Sequence, residues 1–200
     1  MFQGATIPAR PAHFASIEAI VIERLHPLDG ATRAVVELAA LVVRDVDPAL
    51  LAEALGASVA AVAASLERGR ACHLLSWDPR TQRPRFAHAL IRGAVRGQIE
   101  PTRCRRLHAR LAEALERRPG GSARTFELAH YWWEAGVAAR SRVYDERAGD
   151  AALVVNAFDA AVAHYRRAFA ACERGSAARR RVAMKLTNVV LHEGEVAGGS

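Results

Sequence analysis

Over most of this chain apolar residues return every three or four positions, the period of a helix buried along one face, and only one stretch abandons it. Residues 72–77 (Cys-His-Leu-Leu-Ser-Trp) read as a strand, Asp78-Pro79-Arg80-Thr81 as a turn, and residues 83–87 as a returning strand. A chain with one hairpin among many helical segments is confined to a mostly α fold.

The helices ahead of the hairpin carry their own punctuation. Ser16 is a cap for a helix bearing Ile17, Ile20, Val21 and Leu25, stopped by His26-Pro27. Residues 32–43 place Val35, Val36, Leu38, Ala39 and Val42 on one face, as a central core helix does. Asp47-Pro48 opens a short helix that Gly56 closes, and Ser58 caps another with Val59, Val62 and Leu66 inward, ending near Gly69. Three helices followed by a hairpin predict a winged helix.

Beyond the hairpin the expected helices are 88–99, 101–118 with Leu107, Leu111, Ala114 and Leu115 inward, and 123–135 with Phe126, Leu128, Ala129 and the pair Trp132-Trp133. Segments 142–154, 157–172 and 177–192 then follow as helix pairs of a short-repeat solenoid. The organisation predicted is a linker over 1–15, a winged-helix domain with its lead-in helix over 16–99, connecting helices over 100–136, and tetratricopeptide-like repeats over 137–200, the last pair truncated. Such a chain is expected to be a fragment of a larger protein.

Bulk properties narrow the classes. With 51% apolar residues in 200, the chain can bury a core. It has no run of eighteen apolar residues and its start lacks the order of a signal peptide, so no membrane span and a cytoplasmic location are expected. Cys72, Cys104 and Cys172 lack ligand spacing and read as buried thiols. The net charge of +7 invites nucleic acid as a partner. Yet Lys185 is the only lysine and alanine is abundant, which GC-rich coding produces without selection for binding.

Catalytic signatures are absent from the sequence: no GxxxxGK[ST] phosphate loop, no HExxH, no GxSxG elbow, no paired carboxylates. The reading is non-enzymatic, with no cofactor held by this chain. Adjacent tryptophans point about 100° apart on a helix, so one of Trp132 and Trp133 is a candidate partner contact. On the predicted third winged-helix helix the outward positions are Ala60, Ala61, Ala64 and Glu67, which offer bases almost no donors. Arg68 and Arg70 at its end, with Arg80, Arg83 and Arg85 on the wing, are candidate phosphate contacts, so DNA binding, if any, is expected to be nonspecific. Arg103, Arg105, Arg106 and Arg110 crowd one helix, with Asp78, Glu100 or an absent partner as the counter-charge; a functional reading competes with a solvated face, which is the commoner arrangement. His108 has no second ligand at i+4 and reads as a packed or surface histidine.

Two stretches carry a family resemblance: Arg85-Phe86-Ala87-His88-Ala89-Leu90-Ile91-Arg92, and Cys104-Arg105-Arg106-Leu107-His108-Ala109-Arg110-Leu111-Ala112-Glu113-Ala114-Leu115. They resemble the winged-helix and tetratricopeptide region of bacterial STAND-class ATPase regulators, among them large ATP-binding LuxR-type transcription activators and cyclase-linked or kinase-linked relatives. Residues 23–28 and 47–51, then 149–152 and 157–169, extend the likeness. In the repeat-like stretch Phe158, Tyr165 and Phe169 fill space that Ala161 and Ala168 leave. The chain departs from the family in having Gly93 and Arg96 where an acidic residue and an aromatic are usual, a second interior glycine at Gly97, and Ala89 after the histidine.

The resemblance implies an ATPase domain as partner, in cis or in trans, and ATP or ADP only there. It makes His88 a contact to ADP phosphates across the domain boundary, against the plainer role of capping its own helix. It also implies a regulatory protein or small ligand held by the repeats. Two other readings stand beside this one: a free-standing winged-helix DNA-binding regulator, and a tetratricopeptide scaffold that binds a peptide.

Overall fold

Several helices start in this chain where a polar side chain precedes an apolar run, because its acceptor satisfies N–H groups that the first turn leaves open. The computed structural model describes residues 17–198. In it Asp29 accepts from the Thr32 N–H at 2.7 Å and opens α2 (Gly30–Leu41), after α1 (Ile17–Leu25). Asp47 accepts from Ala49 at 2.9 Å at α3 (Pro48–Leu55), and Ser58 from Ala61 at 3.2 Å at α4 (Val59–Ala71). Gly56 ends α3 in the left-handed region, at φ 67°.

The antiparallel hairpin β1 (Leu75–Trp77) and β2 (Pro84–Phe86) pairs Ser76 with Arg85. Then come α5 (Ala89–Gly97), α6 (Pro101–Arg117), a 3-10 turn (Gly121–Ala123), α7 (Thr125–Glu134), α8 (Ala138–Val154), α9 (Phe158–Ala170) and α10 (Ala177–Gly198). The protein is mostly helical, with ten α-helices and one two-stranded sheet among the described residues.

The core follows the apolar period. Along α2 every residue from Val35 to Leu41 is buried, because α3, α4, α5 and α6 surround it. One apolar cluster runs without a break from Val21 in α1 to Ala148 in α8. Tyr131 of α7 is wholly buried in it, its hydroxyl accepting the Val43 N–H at 3.1 Å. A smaller cluster, Ala152 to Val189, joins the end of α8 to α9 and α10. There Gly149 is required: a β-carbon on it would stand 2.5 Å from the Tyr165 ring, so only a bare backbone lets α8 and α9 meet this closely.

Several expectations are corrected. Residues 72–74 form the turn that closes α4 and not part of the strand: Cys72 N–H bonds to Arg68 O, and His73 turns left-handed at φ 55°. Val59 lies 52% exposed at the first turn of α4, while Val62 and Leu66 are buried. Gly97 is the last residue of α5, leaving Gly93 as its one interior glycine. Helix α8 starts at Ala138, four residues early, and α10 continues to Gly198. On α10 Val182 and Val189 are buried against α9 and Leu186 is partly buried there, while Val190 is 46% exposed. Asp78 spends its carboxylate on the Arg80 and Thr81 N–H groups of the wing turn, and Arg103 pairs instead with Glu37 at 2.7 Å. The expected linker over 1–15 and the Ser16 cap lie outside the described residues.

Candidate functional site

The hairpin and the start of α5 gather His88, Arg80, Arg83 and Arg85 of the residues singled out by sequence. His88 is exposed at the junction, and its Nδ1 accepts the Leu90 N–H at 3.3 Å, so it caps α5. An imidazole that accepts through Nδ1 carries its proton on Nε2 when neutral. That Nε2–H has no partner among the described residues.

Between the hairpin, the α2–α3 connection and α5 lies a cleft of about 330 Å³. Arg83 and Arg85 line it from β2 and its approach, and Arg44 and Arg92 from the other walls. Most of these cations are engaged. Arg83 pairs with Asp45 at 3.3 Å and Arg44 with Glu127 at 3.4 Å. Arg92 donates to the carbonyls of Ala40 and Val42, closing the C-terminal end of α2, where cations are favoured. Burial, then the neighbouring Arg96, lowers the pKa of Arg92. Among the described residues Arg85 alone of the four makes no side-chain hydrogen bond or ion pair, though its charge acts on Asp78, and Arg80 stands exposed at the turn.

Arg68 and Arg70 stand apart from that cleft. Arg68 donates to Thr32 Oγ1 at 2.7 Å and lies 3.5 Å from Asp29, stapling α4 to the start of α2. Arg70 binds Glu67 at 2.7 Å, and Glu67 also accepts from the Trp77 indole at 2.9 Å. The Arg70 hydrogen bond, aided by that indole, holds the Glu67 carboxyl below its usual range. The exposed face of α4 is therefore Ala60, Ala61 and Ala64 beside a carboxylate already committed to its neighbours.

The adjacent tryptophans divide as helix geometry requires. Trp132 is 4% exposed and its indole donates to Glu116 at 3.0 Å. Trp133 is 42% exposed, with the Arg167 guanidinium 5.5 Å from its ring centre.

Charged residues inside the helices were missed by sequence reading. Asp145 of α8 is wholly buried and accepts from Ser141 at 2.8 Å, while His164 and Arg167 of α9 approach its other oxygen at 2.9 and 3.2 Å. Glu146 meets Arg181 and Lys185 of α10 at 2.8 and 3.1 Å, and the Arg181 hydrogen bonds bring its pKa down to about 2. Glu37 is buried between Arg33 and Arg103. The signal was present at Glu37, which interrupts an apolar face at an inward position; at Asp145 and Glu146 the charged partners on other helices lie 19 to 39 residues away in sequence.

His108 is wholly buried against His130 and Tyr131. Its Nδ1 stands 3.0 Å from the Cys104 carbonyl, an acceptor only, so the proton sits on Nδ1 and Nε2 is a bare lone pair with no partner. Burial pushes its pKa down to about 4. No group of three or more His, Cys, Asp or Glu able to hold a metal occurs among the described residues. No single helix among them is long and apolar enough to cross a membrane. No family model, curated protein or solved structure matches the chain.

Proposed function

We propose that this chain is a non-catalytic regulatory and interaction module, a winged helix continued by tetratricopeptide-like helix pairs, serving a STAND-type ATPase signalling or transcriptional regulator. The observation that carries the reading is the α8–α9 pair. Gly149 beneath the Tyr165 ring, with Ala161 and Ala168 buried on the same helix as Tyr165, reproduces the Gly and A-x₃-aromatic spacing of a tetratricopeptide pair. Such pairs stack into surfaces that bind other proteins. Three helices and a hairpin ahead of them agree with a winged helix, whose alanine-rich α4 face has little with which to read bases.

In this proposal the ATPase domain docks against the hairpin and α5. The outward Nε2–H of His88 donates to a phosphate of ADP held by that domain, and nucleotide exchange releases the contact. The test is first to look for a GxxxxGK[ST] ATPase in the same transcript, and then to co-purify the chain with it, with and without ADP. Association strengthened by ADP is expected, and His88→Asn should abolish the ADP dependence while preserving the helix cap, since asparagine caps well. Failure to associate, or sequence-selective DNA binding at physiological salt in a mobility-shift series, would transfer the chain to the free-standing DNA-binding reading.

A further inference from the structure

Among the described residues one buried side-chain nitrogen or oxygen lacks a hydrogen-bond partner, the Nε2 of His108. A buried acceptor left bare is a place for a water or an ion. The other ring nitrogen bears on the choice. Nδ1–H is spent on the Cys104 carbonyl at 3.0 Å, the kind of bond that holds a metal-binding imidazole in place with its opposite nitrogen bare. The ligand spacing that α6 lacks beyond His108 is supplied by its neighbour.

Helix α7 packs on α6 and brings His130, whose ring centre is 5.8 Å from that of His108. Two imidazoles sharing one Zn²⁺ at the usual Zn–N distance of about 2.0 Å have ring centres roughly 5–6 Å apart. Glu134 follows His130 by four residues on α7, so the two lie on one side of that helix. Its carboxylate acts on both imidazoles, which places all three groups in one cluster. Neither His130 nor Glu134 makes a hydrogen bond or ion pair with the described residues, and both are half-buried, which leaves their donors uncommitted and an entry path from solvent. No three donors converge as they stand; rotation of the His130 and Glu134 side chains is the step that gathers them on Nε2. The Cys104 thiol lies 3.6 Å from Nδ1, on the wrong nitrogen, and stays outside the set.

We propose that His108 Nε2, His130 and Glu134 bind a Zn²⁺ ion between α6 and α7, with water in the fourth position. Imidazole with carboxylate suits this ion, and its filled d shell imposes no geometry of its own on an irregular set of three. Burial lowers the pKa of both histidines, so at neutral pH both are in the neutral form that binds metal. Arg96 of α5 acts against a cation here, and the Glu134 carboxylate offsets it.

This inference is independent of the ATPase reading. The test uses the full chain, stripped with chelator and titrated with Zn²⁺ alone by calorimetry, then with Co²⁺ followed in the visible spectrum. Expected are one equivalent bound, cobalt bands of a four-coordinate nitrogen and oxygen site, and affinity weakened at least about tenfold in His130→Ala and in Glu134→Gln, with both variants keeping the parent's circular dichroism. Because His108 is wholly buried, its part is read without substitution: in a long-range ¹H–¹⁵N spectrum its Nε2 should leave the bare-base position as Zn²⁺ binds. No binding of one equivalent overturns the proposal and leaves a water as the partner of Nε2. Binding that survives both substitutions, or that leaves Nε2 unshifted, overturns it as an adventitious ion held elsewhere among the eight histidines.

Discussion

His108 shows how much one side chain can carry when nothing nearby shares its load. Protonating Nε2 would place an unpartnered N–H and a charge in the core, between His130 and Tyr131 and near Arg96, with the Glu134 carboxylate opposing the cost. The folded pKa of about 4 stands below the ordinary 6.5, so the unfolded chain binds the proton first as pH falls. Stability from this group is complete above pH 6.5 and declines as pH drops toward 4, by roughly 3 kcal/mol in all. Urea unfolding at pH 7.5, 6 and 5 should show this limb, and His108→Leu should flatten it. Asp145 is the opposite case, a buried carboxylate answered by a hydroxyl, an imidazole and a guanidinium. Asp145→Ala strands Arg167 and His164 together, and a loss of about 3–5 kcal/mol is expected from the same unfolding measurement.

At the scale of elements, two glycines in helices make a matched pair. A β-carbon at Gly149 would stand 2.5 Å from the Tyr165 ring, while one at Gly93 meets nothing within 4 Å. Gly149→Ala should therefore cost about 1–3 kcal/mol by forcing α8 and α9 apart, and Gly93→Ala should stabilise by about 0.5–1 kcal/mol through helix propensity. Thermal melts of both variants check the opposite signs. A double variant, Gly149→Ala with Tyr165→Leu, should recover part of the loss, because the smaller side chain vacates the clash.

Across the whole molecule the larger apolar cluster binds α1 to α8, and the smaller one attaches α9 and α10. Helix α10 leaves Met184 and Leu191 68% and 63% exposed and packs mainly on α9. Its other hold is electrostatic, Arg181 and Lys185 on Glu146 and Asp150 of α8. Native-state hydrogen exchange should find α10 opening at lower free energy than α2 or α6. The Glu146 contribution has a defined pH window: with a folded pKa of about 2 against 4.5, it is complete above pH 4.5 and lost as pH falls toward 2. Glu146→Gln should bring α10 exchange at neutral pH toward that of the parent at low pH.

Local physics made much of this legible from sequence. The caps at Asp47 and Ser58, the inward stripes of α2 and α6, the turn at Asp78 and the division of Trp132 from Trp133 all depend on neighbours within a few residues, whereas the Asp29 cap was not read. Ala161, Tyr165 and Ala168 were legible as a packing face for the same reason. The tertiary structure alone decided what meets across the chain: Gly149 under Tyr165, Arg92 on the end of α2, Asp145 between two helices, and His108 sealed without a partner for Nε2. Helix periodicity fixes which side of an element is buried. Only packing fixes which element covers it, because a buried charge or ring is defined by partners that sequence distance does not reveal.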